Sequence, residues 1–178
     1  LERLNKEIEI IIIDDGSTDG SQNLLSNDKN YILIKNKFNI GKGSSIIKGV
    51  EIASKENIIL MDSDLEINFH EIPFLIEEYD RKECDAIAGV RWNNSNNKRK
   101  YNSHYIGNYV INFIFNLLFN SKLNDVLCCL KILKLKKFKK LNVKSKRFSL
   151  EVEIMAKMAI KNMDIKEFPI KYTRRSKI

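Results

Sequence analysis

Two aspartates, Asp62 and Asp64, close the stretch NIILMDSDLE that runs from Asn57 to Glu66. Four apolar residues lead straight into them, so a buried strand would end by aiming two like charges at one place. Carboxylates held close without a partner repel and raise one another's pKa. A hard divalent cation, Mg²⁺ or Mn²⁺, removes that conflict and keeps open positions for phosphate oxygens. The same pair can also cap a following helix or stay solvated. A second run, IIIIDDGSTD from Ile10 to Asp19, ends in acids too. In open α/β sheets ligands sit beyond the carboxyl ends of the strands, so two acidic strand ends favour a ligand site.

Neighbouring motifs exclude other chemistries. DDGSTDGS resembles a calcium loop starting at Asp15, but its twelfth position is Ser26 where such loops carry Glu. NIGKGSS is no Walker-type phosphate loop, because Gly43 follows Gly41-Lys42 where Ser or Thr is required and Asn36 stands where the first Gly belongs. It remains a glycine turn before a helix, either presenting N–H groups to an anion or simply turning the chain tightly. Cys84, Cys128 and Cys129 have no metal-ligand spacing. Their odd number fits a reducing compartment, and Cys128 and Cys129 read as core packing.

The elements that must position these residues follow from periodicity. Short apolar runs predict strands at Ile8 to Ile13, Tyr31 to Ile34, Asn57 to Met61 and Asp85 to Val90. Helical spacing predicts helices at Ser21 to Ser26, Ser44 to Lys55, Ile72 to Arg81, His104 to Asn120 and Leu150 to Lys161. Strands alternating with helices predict an α/β fold with a mostly parallel sheet. With 178 residues, 43% hydrophobic, the chain suffices for one domain. It opens on LERLNKEIE without Met, which reads as a helix tail; the expectation is a fragment whose first strand is missing.

The order and spacing of IIIDDGSTDGS, NIGKGSSIIKGV and ILMDSDLE resemble the family 2 glycosyltransferases of the GT-A fold. AGVRW, RKYNS, NDVLCCLKIL, FSLEVEIMAK and IKEFPIKYTRRSKI resemble one branch, the dolichyl-phosphate or polyprenyl-phosphate hexosyltransferases. The resemblance implies a single Rossmann-like GT-A catalytic domain over residues 1–178, truncated at its first strand and its Pro-x-Tyr-Asn-Glu nucleotide motif. It implies inverting transfer of mannose or glucose from GDP-mannose or UDP-glucose to a polyprenyl or dolichyl phosphate. Ile13 and Asp15 match a strand end that touches base and ribose. Asp62, Ser63 and Asp64 match the metal- and diphosphate-binding DxD, with Glu66 near the metal. Arg91 matches an arginine that contacts the nucleotide sugar. Arg99 and Ser103 match a pair that receives the acceptor phosphate. Arg175 and Lys177 match a basic pair that closes over the diphosphate, with Arg174 an alternative to Arg175. Asp125 stands where relatives with hydroxyl acceptors keep a general base; with a phosphate acceptor it would orient the sugar or a lysine.

The net charge of +8 calls for an anionic partner. In His104 to Asn120, polar residues recur every four positions and the rest is almost wholly apolar. Such a helix suits a membrane interface, or packs on the sheet. The lysine-rich stretch Lys131 to Arg147 is a solvated face or attracts anionic headgroups. Together these predict a peripheral protein on the cytoplasmic face of a membrane. Three alternatives stand beside this: sugar transfer to a glycan hydroxyl with Asp125 as base, a basic nucleic-acid-binding module, and an inactive fragment. The nucleic-acid reading fails on the acidic strand ends, which repel phosphate without metal, and on aromatics gathered in an apolar helix rather than on a stacking surface. The expected partners therefore exclude nucleic acid.

Overall fold

The computed structural model describes residues 7–24, 30–91 and 103–174. The chain runs β1 (Ile11–Asp14), α1 (Ser21–Leu24), β2 (Ile32–Lys35), α2 (Lys42–Ile52), β3 (Asn57–Leu60), α3 (Glu71–Arg81) and β4 (Ala86–Val90). It continues with α4 (Ser103–Phe119), β5 (Lys131–Lys134), α5 (Leu135–Leu141), α6 (Leu150–Ile160) and β6 (Ile165–Pro169). β1 and β2 form a parallel pair in register Ile11 to Ile32. β3, β5, β4 and β6 form a four-stranded sheet in that order. β4 and β6 are parallel, and β5 runs against both β3 and β4. The expected mostly parallel α/β sheet is therefore present, with β5 as its reversed strand.

The four-stranded sheet separates two apolar layers. Ala86, Ala88 and Leu133 turn to one side, where Phe115 of α4, Phe138 of α5 and Ile154, Met155 and Met158 of α6 cover them. Ile87 and Ile132 turn to the other, against Leu75, Ile76 and Tyr79 of α3. This is the period-2 alternation of a strand covered on both faces. Pro73 sits in the first turn of α3, where its missing N–H costs nothing. α2 approaches β1 closely through Gly49, whose added Cβ would lie 2.7 Å from the Ile13 side chain.

Sequence periodicity misses β5, α5 and β6, and it misplaces Lys131. That lysine is 1% exposed in the central strand β5, not on a solvated face, and its ammonium donates to the Cys128 carbonyl. Burial pushes its pKa down. Cys128 is core, as expected, and Gly89 makes room for it: an added Cβ would stand 3.1 Å from its Sγ.

α4 is amphipathic in the inverted sense. Its asparagine stripe faces the protein: Asn112 donates to the Asn124 carbonyl and accepts from Val126 N–H, while Asn116 donates to the Leu123 carbonyl. Ile106, Tyr109, Val110, Phe113, Leu117 and Leu118 face outward. Phe113 is 61% exposed and Phe115 only 3%, so the apolar residues of α4 divide between an outer face and the core. Among the described residues no helix is long and apolar enough to cross a membrane.

Candidate active site

β3 delivers Asp62 and Asp64 to its carboxyl end, where the chain turns sharply through Leu65 at φ 62°. The Asp64 carboxylate accepts the Glu66 N–H at 3.1 Å. Glu66 points away toward the C-terminal segment: Tyr172 donates its hydroxyl to the Glu66 carboxylate at 2.9 Å, and Thr173 N–H donates to the Glu66 carbonyl at 2.8 Å. Burial and that carboxylate push the Tyr172 phenol up to about 12. Tyr172 engages one oxygen of Glu66, the residue expected near the metal beside Asp62 and Asp64; among the described residues no three acidic, His or Cys side chains gather into a metal site. The donor set that remains is two hard carboxylates at a half-exposed strand end. That fits Mg²⁺ or Mn²⁺ sharing its other positions with a diphosphate, the usual arrangement for magnesium sites.

Lys42, first residue of α2, lies against Asp62. Its ammonium is 2.7 Å from each oxygen of Asp62 and also contacts buried Glu151 of α6. Burial works against its charge, but Asp62 and Glu151 outweigh it and raise the pKa. Asp15 organises the turn that precedes Lys42. Its carboxylate accepts the N–H groups of Ile40 and Gly41 and the Asn36 side-chain amide, each at 2.9 Å. Burial opposes the Asp15 charge, and these donors outweigh it, so the carboxyl stays below its usual range.

The glycine turn itself presents no open anion site. Gly43 and Ser44 N–H donate to the Lys146 carbonyl at 3.0 and 3.3 Å. Gly41 adopts φ 93°, and a Cβ on Gly43 would stand 1.8 Å from the Ser145 carbonyl oxygen. The turn is tight because a protein carbonyl fills it.

Ile13, Asp15, Lys42, Asp62, Ser63 and Arg147 line one cleft of about 460 Å³. Its floor is the edges of two strands: consecutive residues Ile11, Ile12 and Ile13 of β1 and Ile58, Ile59 and Leu60 of β3 all reach it. Successive strand residues point to opposite faces, so only an edge can offer all of them to one space. Among the described residues, neither edge has a strand partner on that side.

Arg91 and Asp125 sit apart from the cleft lining. Asp125, only 1% exposed, accepts Arg91 Nε at 2.7 Å, Nη2 at 2.8 Å and the Arg91 backbone N–H at 3.1 Å. Burial opposes the Arg91 charge, and Asp125 outweighs burial, so the guanidinium holds its proton more tightly than usual. The guanidinium also lies 5.6 Å from the centre of the Tyr172 ring. A continuous path thus runs from Asp125 through Arg91 and Tyr172 to Glu66 and the DxD turn.

The structure therefore brings Ile13, Asp15, Asp62 and Ser63 to one cleft and places Arg91 and Asp125 in an ion pair beside it. Arg99, Arg175 and Lys177 lie outside the described residues, and Ser103 is described only as the first residue of α4. Lys42, Glu151, Tyr172 and Arg147 were not found by sequence reasoning. The signal for Lys42 was its place between two glycines ahead of a helix, and for Glu151 and Tyr172 their place inside the motifs FSLEVEIMAK and IKEFPIKYTRRSKI; Arg147 carried none.

The fold and the strand-end aspartates define a GT-A glycosyltransferase architecture. The sequence model described as "Glycosyl transferase family 2" matches residues 1–141, and the chain belongs to that family. A dodecaprenyl-phosphate galacturonate synthase from Rhizobium johnstonii is 31% identical over 93 residues, covering 48% of this chain and 27% of the relative. An undecaprenyl-phosphate 4-deoxy-4-formamido-L-arabinose transferase from Pectobacterium carotovorum is 35% identical over 96 residues, covering 51% and 29%. The chain thus spans under a third of the length of these curated relatives. A solved structure of glucosyl-3-phosphoglycerate synthase from Mycobacterium tuberculosis, in complex with Mn²⁺, UDP and glucosyl-3-phosphoglycerate, matches with TM-score 0.70. That match has 13% identity over 94% of this chain and 62% of that one, and it speaks for the fold alone.

Proposed function

We propose that this chain is the catalytic core of an inverting transferase that moves a hexose, mannose or glucose, from GDP-mannose or UDP-glucose to a polyprenyl or dolichyl phosphate. Family membership supports sugar transfer, and the names of the curated relatives support a polyprenyl-phosphate acceptor. The observation that carries the acceptor choice is the buried fork between Arg91 and Asp125. A hydroxyl acceptor needs a base to take its proton, and Asp125 is enclosed and occupied by Arg91. A phosphate acceptor is already an anion near neutral pH and needs no such base.

In this reading the nucleotide occupies the cleft between β1 and β3, with its diphosphate at Asp62 and Asp64. Mg²⁺ or Mn²⁺ held by those two aspartates would, when bound, neutralise charge on the departing diphosphate. Arg147 at the cleft rim would add positive charge there. An acceptor phosphate oxygen attacks the anomeric carbon, the bond to the diphosphate oxygen breaks with its electron pair, and attack from the opposite side inverts the centre. Arg99 and Ser103 would receive the acceptor phosphate, and Arg175 and Lys177 would close over the diphosphate, on the strength of the sequence resemblance. Arg91, held by Asp125, would orient the donor sugar rather than move a proton.

The outward apolar face of α4 supports attachment to a membrane surface, where such an acceptor resides; the proposed location is the cytoplasmic face. The test is a panel of nucleotide sugars with Mn²⁺ and a short polyprenyl phosphate, scoring lipid-linked product. The panel includes galacturonate and 4-formamido-arabinose donors alongside GDP-mannose and UDP-glucose. Product with a glycan hydroxyl acceptor and none with the lipid phosphate would overturn the reading.

A further inference from the structure

Lys42 has an unusual position for a lysine in a site built for a divalent cation. An ammonium has three N–H donors and no acceptor. Here its nitrogen lies 2.7 Å from both oxygens of Asp62 and contacts the Glu151 carboxylate. Three donors therefore meet three carboxylate oxygens, and neither Asp62 oxygen is left without the ammonium beside it. The side chain is only 17% exposed, and Glu151 8%, so water screens the contacts weakly. A metal reaching Asp62 must take at least one of these oxygens.

From this geometry we propose that Lys42 is a resident counter-cation of the DxD site, and that metal loading is an exchange in which the divalent ion takes Asp62 while the ammonium stays on Glu151. The inference rests on Asp62 as metal ligand. Without metal, Lys42 holds Asp62 at the strand end through contacts to both carboxylate oxygens. On loading, Glu151 prevents a buried ammonium from being left without a partner, which would otherwise oppose the exchange strongly. Lys42 is thus a positioning residue that sets how much free metal the site requires. Glu151 belongs to the first turn of α6, and Lys42 opens α2, so the exchange also ties both helices to β3.

The experiment measures Mn²⁺ binding to the 178-residue chain, without nucleotide, from the paramagnetic resonance signal of free Mn²⁺. Lys42→Met alone strands the buried Glu151 carboxylate and can unfold the chain, so the decisive variant is Lys42→Met with Glu151→Gln, checked by circular dichroism. This double variant is expected to bind Mn²⁺ about tenfold more tightly than the parent, because the competing cation is gone. Lys42→Arg retains the cation and should not tighten binding. Adding Asp62→Asn to the double variant should abolish the gain, which a merely structural role for Lys42 would not predict. A folded double variant that binds Mn²⁺ no more tightly than the parent overturns the exchange but leaves the proposed function standing. If the parent and Asp62→Asn bind Mn²⁺ equally, Asp62 is not the metal ligand, and both the exchange and the proposed metal site fall.

Discussion

Arg91 and Asp125 form a forked ion pair that joins the end of β4 to the segment after α4, with Nε and Nη2 of the arginine at 2.7 and 2.8 Å from the two carboxylate oxygens. Removing one partner of a buried pair leaves the other charged and unmatched, which costs about 3–5 kcal/mol. Asp125→Asn and Arg91→Met should each lower unfolding free energy in urea by roughly that amount. The double variant should lose clearly less than the sum. If Asp125 also acted as a base, Asp125→Asn would in addition cut turnover of the folded fraction by roughly 10²–10⁴.

The two strand-end aspartates should control metal-dependent donor binding. Asp62→Asn with Asp64→Asn is expected to abolish Mn²⁺-dependent binding of nucleotide sugar in calorimetry. The thermal midpoint should shift only slightly, because both aspartates sit at a half-exposed turn and Lys42 retains Glu151. Unchanged Mn²⁺ dependence in this variant would place the site elsewhere.

The division of α4 should separate the proposed membrane attachment from folding. Phe113→Ser with Leu117→Ser should weaken recruitment to anionic vesicles and leave stability unchanged, since both side chains face outward. Phe115→Ser should destabilise by about 3–5 kcal/mol, the cost of emptying a buried aromatic site. Flotation with vesicles and urea unfolding, run on the same variants, check both halves. Anionic vesicles should bind better than neutral ones by about 1 kcal/mol for each lysine at the surface.

Glu153 predicts an acid-sensitive contact. Its carboxylate accepts from Lys144 N–H at 2.9 Å and Ser145 N–H at 2.6 Å and pairs with Lys157. Burial opposes its charge, but these partners outweigh it and hold the carboxyl at about 2, below its ordinary 4.5. A depressed carboxyl contributes stability above its unfolded pKa and loses it as pH falls through the folded one. The contribution should therefore be complete above about pH 4.5 and fade toward about pH 2. Glu153→Gln should flatten that part of the stability–pH curve. The segment it anchors supplies the Lys146 carbonyl to Gly43 and Ser44, so the glycine turn should loosen in the same range.

Much of this architecture was legible because apolar period and burial agree. β1 to β4, α2, α3 and α6 all carry short apolar runs or helical stripes, bounded by turn residues. β5 was not legible: KILK reads as charged, yet it pairs with a strand on each side and Lys131 satisfies its ammonium on a local carbonyl. β6, IKEFP, hides for the same reason beside β4. The strand-end aspartates were legible as a candidate site, but their neighbours were not. Lys42 meets Glu151 across 109 positions of sequence, and Tyr172 meets Glu66 across 106, and no local pattern encodes such pairings. The outward apolar face of α4 follows from asparagines that bond loop backbone, which spacing alone cannot distinguish from asparagines facing water.

Among the described residues, the cleft floor separates two hydrogen-bonded bodies. The β1–β2 pair shares no backbone ladder with the four-stranded sheet among the described residues. Side-chain packing through α2 and a few polar links hold them together, so the smaller body can open without the larger one. Amide hydrogens of Ile11–Asp14 and Ile32–Lys35 should then exchange with solvent far sooner than those of β4 and β5. Asp15 belongs to the smaller body and Asp62 to the larger, so a ligand that spans the cleft acts as a rivet between them. Its arrival would slow exchange on both sides at once, and the occupancy of the cleft would be written in the protection of amides that never touch the ligand.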